Sequence, residues 1–227
     1  MSELGEAPPQ TSEYEGFTIN LPPQVKEAVD EYARKFLEKG RGDFDPTHTE
    51  AAVYYALLIG SYYGLDPAVL YTSARCHDIG YAGHIERDKA HQFVRVEAAK
   101  ADHMEVGAER VRTFLEREDI KDHYTQAQKD LIIHLVLVHD RVEDLKTLYE
   151  IIIMEADTLA AISLNALDHI TVITTFSLKD REKYIKERLK KRRYLHFKTY
   201  PGKLFLQVLA PAFQRYHERQ LEIQNTT

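Results

Sequence analysis

Asp66-Pro67-Ala68-Val69-Leu70-Tyr71-Thr72-Ser73-Ala74-Arg75-Cys76-His77-Asp78-Ile79-Gly80 is the stretch that decides how this chain folds. Asp66 offers a helix cap, Pro67 suits the first helical position, and an apolar run follows. Gly80 falls just beyond the expected end near His77. A short helix therefore delivers an adjacent His77-Asp78 pair at its C-terminus. An imidazole and a carboxylate side by side can hold a divalent metal where the helix stops. Such dipeptides also arise by chance, and Val138-His139-Asp140 and Leu167-Asp168-His169 are partial decoys.

Working back, Asp45-Pro46 repeats the start signal, with Asp45 as the expected cap. That helix runs through Ala51, Val53, Leu57 and Tyr62 and stops at Gly64. Two helices joined by so short a turn pack as an antiparallel hairpin, which puts His48 and His77 at the same end. At about 1.5 Å per residue His48 lies roughly 7 Å too far from the turn, so a crossing angle or an irregular helix end must close the gap. Pro22-Pro23 opens an earlier helix over 24–39, ended by Gly40 and Gly42, and residues 1–20 read as a loose arm.

Working forward, residues 84–91 are polar and read as a loop. Two helices follow, over 90–101 and 102–117. In the second, Gly107 one turn after His103 implies a close backbone approach. Thr125 caps a helix so apolar around Ile132-Ile133-His134-Leu135-Val136 that a central position is expected. Another spans 145–167, and a last one 203–224. Residues 179–193 are rich in Lys and Arg but carry an apolar stripe of Tyr184, Ile185 and Leu189, and read as a surface helix, with contact to the phosphates of a nucleotide or nucleic acid as the alternative. Neither β-alternation nor a repeat interrupts the pattern. The fold class is all-α, with an arm at 1–20 and one domain over 21–227.

Composition bounds the function. The chain has 227 residues and a net charge of −6, which disfavours nucleic acid as the partner. Its single cysteine, Cys76, excludes an internal disulfide framework and fits a reducing compartment. Without a signal-like or membrane-spanning run, a cytoplasmic location is expected and no membrane partner.

The candidate ligands, in order, are His48, His77, Asp78, His103, His134 or His139, and Asp157. Each histidine alone is more often a hydrogen-bonded core residue. Asp157 changes the balance, because it interrupts the apolar run 151–161, and an unpartnered buried carboxylate costs several kcal/mol. It needs either a basic partner such as Arg75 or Arg110, or a cation. Imidazole and carboxylate donors without thiolate suit iron, manganese, nickel, cobalt or zinc, with magnesium also admissible. Six ligands would serve two ions and four would serve one.

This order resembles the HD superfamily of metal-dependent phosphohydrolases, over roughly residues 45–165. His48 matches the first histidine, His77-Asp78-Ile79-Gly80 the central dyad, and Glu155-Ala156-Asp157-Thr158-Leu159 the surroundings of the final aspartate. His103-Met104-Glu105-Val106-Gly107-Ala108 resembles the extra-histidine helix of members with a binuclear centre. Val136-Leu137-Val138-His139 fits the second extra histidine, so the resemblance favours His139 and leaves His134 as a core residue. It implies an HD-type helical bundle with additional C-terminal helices over 166–227. It also implies one or two divalent transition-metal ions and a metal-activated hydroxide, with Asp78 bridging the ions or orienting the nucleophile. Glu105, Asp140 and Glu155 are the acceptors at hand for the ligand histidines, and Arg87, Lys89, Arg95, Arg110 and Arg141 the cations nearest in sequence. Arg75 departs from the family's apolar residue before the dyad and is expected to face solvent. The implied substrate is a nucleotide or other small phosphorylated compound, and a homo-oligomer is left open. The alternatives are a di-iron oxygenase of the same type and a non-catalytic ligand-binding module.

Overall fold

The computed structural model describes residues 16–41, 44–83, 86–87, 93–94, 96–163 and 192–226, with side chains of 84–101 outside the description. The described residues form seven α-helices: α1 (Pro23–Leu37), α2 (Phe44–Tyr62), α3 (Pro67–Cys76), α4 (Val96–Leu115), α5 (Gln126–Val138), α6 (Leu148–Ala160) and α7 (Tyr200–Thr226). A two-residue ribbon pairs Glu86 with Val94 and Arg87 with Phe93, a small addition to the all-α expectation. Most of the arm, the expected loop at 84–91 apart from Glu86-Arg87, and residues 164–191 lie outside the described residues, as do the side chains of Arg87, Lys89 and Arg95.

The centre of the bundle is α6, not α5. Every residue of α6 from Glu150 to Ala160 is buried, and α2 packs along it. On α5 the buried side is Lys129, Ile132, Leu135 and Val136, set against α3 and α4. Its opposite side reaches solvent, so the long apolar run misled. His134 is half exposed there and pairs with Glu150 at 2.7 Å, which corrects its reading as a core histidine. The expected break near residue 101 is absent: α4 is one helix, since Lys100-Ala101-Asp102 holds no residue that stops one.

Starts and stops follow local chemistry. Asp66 caps α3 by accepting from Ala68 N at 2.9 Å, and Thr125 and Thr147 form capping boxes with Gln128 and Glu150. Asp45 does not cap. α2 starts one residue earlier, and the buried Asp45 carboxylate accepts from Arg41 N at 2.7 Å and Arg41 Nε at 2.5 Å. Arg75 is buried rather than solvent-facing. It pairs with Asp30 at 2.8 Å and with Glu50, tying α3 to α1 and α2.

The turn after α3 is set by two glycines. α3 ends at Cys76, Asp78 adopts φ −105° and ψ 5°, and a 3-10 turn occupies Ile79–Tyr81. A Cβ on Gly80 would collide with the His103 carbonyl, and Gly107 lies opposite, where a Cβ would stand 3.5 Å from Gly80 N. The turn can lie on α4 only because Gly80 lacks a side chain, while a Cβ on Gly107 would press on Val136 Cγ1 at 3.2 Å. Arg110 clasps the same turn, donating to Ile79 O at 2.5 Å and Ala82 O at 3.0 Å. Gly80→Ala should push the turn off α4 and destabilise the protein by ~1–3 kcal/mol in denaturant unfolding, as overpacking does. An unchanged unfolding midpoint would contradict this contact.

Candidate metal centre

Five helices and one turn bring six side chains together. His48 comes from the first turns of α2, His77 caps the end of α3, and Asp78 follows at the entry to the 3-10 turn. His103 comes from α4, His139 caps the end of α5, and Asp157 lies in the buried α6. The gap that a straight hairpin would leave is closed, and His48 Nε2 stands 3.2 Å from His77 Nε2.

The six side chains fall into two groups that share a member. His48, His77, Asp78 and Asp157 form one, and Asp78, His103 and His139 the other; within each, one ligand atom per residue lies within 4.8 Å of the rest. The Asp78 carboxylate joins them. Its Oδ2 is 3.2 Å from His77 Nε2 and 3.6 Å from His48 Nε2. Its Oδ1 is 3.6 Å from His139 Nε2 and 3.8 Å from His103 Nε2. One oxygen thus faces each histidine pair.

Backbone contacts fix which ring atoms face inward. His77 Nδ1 lies 2.7 Å from Ala74 O and His139 Nδ1 2.8 Å from Val136 O, so each of these nitrogens donates and Nε2 points into the centre. In each pair the two Nε2 atoms confront one another, at 3.2 Å for His48 and His77 and 3.3 Å for His103 and His139. Ring nitrogens brought this close together and bounded by carboxylate oxygens make a set of donors that a cation can occupy. The donors are nitrogen and oxygen only, the set that suits iron, manganese, cobalt, nickel or zinc. Cys76 stays out, its thiol pushed up to about 12 by burial. These buried groups could hold a metal ion.

Two arginines absent from the expected set complete the electrostatics. Arg41 pairs with Asp78 Oδ2 and lies between the rings of Tyr81 and Phe44, 4.1 and 4.9 Å from their centroids. Arg193 reaches Asp157 Oδ2 at 2.5 Å and Asp140 Oδ1 at 2.9 Å. Burial alone would raise both aspartates, but His77 and Arg41 hold Asp78 well below the usual carboxylate range, and Arg193 and His48 do so for Asp157. Burial also works against a charged His77, yet Asp78 and Asp157 beside it hold it well above the ordinary histidine value. For His48 burial wins and the pKa falls.

The expected partners fare differently. Asp157 pairs with Arg193, neither with Arg75 nor with Arg110. Asp140 stands 3.8 Å from His103 Nε2, whereas Glu105 is exposed and meets Arg141 at 3.6 Å. Glu155 points away and accepts from Lys198 N at 2.6 Å and Thr199 N at 2.9 Å, just ahead of α7, which Thr199 Oγ1 caps by accepting from Gly202 N at 2.9 Å. Arg41 carried one signal, its place between Gly40 and Gly42 four residues before Asp45. Arg193 carried none that set it apart within a basic run.

A helical bundle that gathers His, His-Asp and Asp from successive helices is a metal-site domain of a recognisable class. The HD domain family matches residues 47–162, just over half of the chain, and the chain belongs to that family, whose members are commonly metal-dependent hydrolases. No curated protein and no solved structure matches it. Among the described residues no helix is long and apolar enough to cross a membrane.

The raised pKa of His77 leaves it protonated near neutrality in the metal-free protein, and ligation requires the neutral ring. Metal uptake should therefore release about one proton per chain at neutral pH, and apparent affinity should rise with pH. Calorimetric metal titrations in two buffers of different ionisation enthalpy measure this. Buffer-independent heats would contradict it.

Proposed function

We propose that the chain is a metal-dependent phosphohydrolase acting on a nucleotide or other small phosphorylated compound. In this reading His48, His77, Asp78 and Asp157 hold one divalent ion, and Asp78, His103 and His139 a second. The observation that carries it is the split of Asp78, one carboxylate oxygen towards each histidine pair. Divalent cations held by these residues would supply Lewis acidity for a phosphoryl group and for the activation of water.

The chain's own residues prepare this chemistry. Ala74 O and Val136 O hold the His77 and His139 rings with Nε2 inward, so no reorientation is needed. Arg41 and Arg193 favour the ionised form of Asp78 and Asp157 and hold their carboxylates in place. Tyr81 stacks on His103 with centroids 4.3 Å apart, covering that ring and excluding water from one side.

Metal analysis of purified protein should find two ions per chain, falling to one in His103→Ala and to none in Asp78→Ala. His77→Ala and Asp157→Ala should lower hydrolysis by at least about 100-fold, beyond the 10–100-fold usual for groups behind the ligands. The assay is a screen of nucleotides, dinucleotides and sugar phosphates with several divalent metals. A protein that binds no metal, with activity unchanged in both variants, would sink the reading.

A further inference from the structure

The family match ends at residue 162, yet the centre receives a charged side chain from beyond it. Arg193 stands on the 3-10 turn Arg192–His196 and reaches both ligand groups at once. One terminal nitrogen is 2.9 Å from Asp140 Oδ1, next to His139. The other is 2.5 Å from Asp157 Oδ2 and 3.5 Å from the His139 carbonyl. A single planar fork therefore ties the end of α5 to the middle of α6. The residues that follow hold α6 a second time. Lys198 N and Thr199 N donate to Glu155 Oε1 at 2.6 and 2.9 Å, and the Thr199 hydroxyl donates to Oε2. Phe197, between the two grips in sequence, is buried. Glu155 and Asp157 are two residues apart and so leave α6 on opposite sides. Residues 193–199 thus strap the helix that carries Asp157. A Cβ on Gly202 would collide with the Glu155 carboxylate, so α7 begins pressed against the same grip.

The oxygens that Arg193 uses decide whether it competes with a cation or assists one. Asp157 turns Oδ1 to His48, 2.9 Å away, and gives Oδ2 to Arg193. Asp140 gives Oδ1 to Arg193 and keeps Oδ2 3.8 Å from His103 Nε2. In both carboxylates the arginine holds one oxygen and leaves the other to a histidine of the centre. Arg41 does the opposite, taking Asp78 Oδ2, the oxygen that faces His77 and His48. Arg41 shares its oxygen with the ligand set, and Arg193 does not.

We infer that Arg193 is a positioning residue for both ligand groups and that residues 193–199 form a strap whose docking on α6 is coupled to metal binding. The inference rests on the metal centre and not on the reaction carried out there. With the strap docked, Asp157 presents Oδ1 to His48 in a fixed orientation. With it undocked, the carboxylate rotates and loses its charge partner. A cation that prefers the first state stabilises strap docking by the same factor that docking adds to the cation's affinity. The guanidinium charge by itself opposes a nearby cation. The sign of the coupling therefore separates a positioning residue from a stand-in cation.

Hydrogen exchange at the Lys198 and Thr199 amides of the full chain, with and without saturating manganese, reads the strap, and calorimetry on the same samples reads metal affinity. In the wild type manganese should slow exchange at both amides by about 10-fold or more. Arg193→Gln should lose about 10- to 100-fold in manganese affinity, the range for groups behind metal ligands, and manganese should no longer slow exchange at 198 and 199. Arg193→Lys, the second variant if the neutral one folds poorly, keeps the charge without the fork and should show the same losses to a smaller degree. Wild-type affinity in either folded variant, or protection of the strap by manganese that survives in Arg193→Gln, would overturn the inference. Tighter manganese binding in Arg193→Gln would also overturn it, making Arg193 a stand-in for the cation. Failure of the wild-type protein to bind metal would overturn it together with the metal reading. Coupling of the expected sign in a metal-loaded protein that hydrolyses no ester would support it and sink the hydrolase reading alone.

Discussion

The buried Asp78 carboxylate is the constraint on which the rest of the centre depends. A charge taken out of water costs several kcal/mol unless it is compensated, and Asp78 is compensated on every side. His77 and His48 face one oxygen, His139 and His103 the other, and Arg41 pairs with the first. Holding it there requires the end of α3 to break at Cys76 and the following turn to rest on α4. That contact in turn requires Gly80. The short segment 77–80 thus couples a helix stop, a backbone contact and the meeting point of two histidine pairs.

Much of this was legible in the sequence because the signals were local. Asp66-Pro67 and Thr125 mark helix starts by hydrogen bonds within a few residues, and Gly107 one turn after His103 announces its own close approach. The ordered residues His48, His77-Asp78, His103, His139 and Asp157 could be named because metal ligands must be particular residue types. Their convergence is tertiary, and the structure brings all six together. What was not legible depended on packing between distant segments. The apolar run of α5 reads as central, yet α6 is central, since burial depends on which neighbours arrive. Arg75 reads as exposed because its partners Asp30 and Glu50 lie on other helices. Asp45 reads as a cap until Arg41 claims its carboxylate.

The arginines show the deeper limit. A basic residue that neutralises a buried carboxylate looks like any other lysine or arginine in sequence, and Arg193 stands among many. Its role emerges only from the position of Asp140 and Asp157, contributed by the end of α5 and the middle of α6. Together the two arginines offset part of the charge of the buried carboxylates.

The central claim is that Asp78 lies between two ions. Anomalous X-ray scattering from crystals of the manganese-loaded protein tests it most directly. The account predicts two peaks flanking the Asp78 carboxylate, one bounded by His48, His77 and Asp157 and the other by His103 and His139. A single peak remote from Asp78, or none at full metal loading, would contradict it.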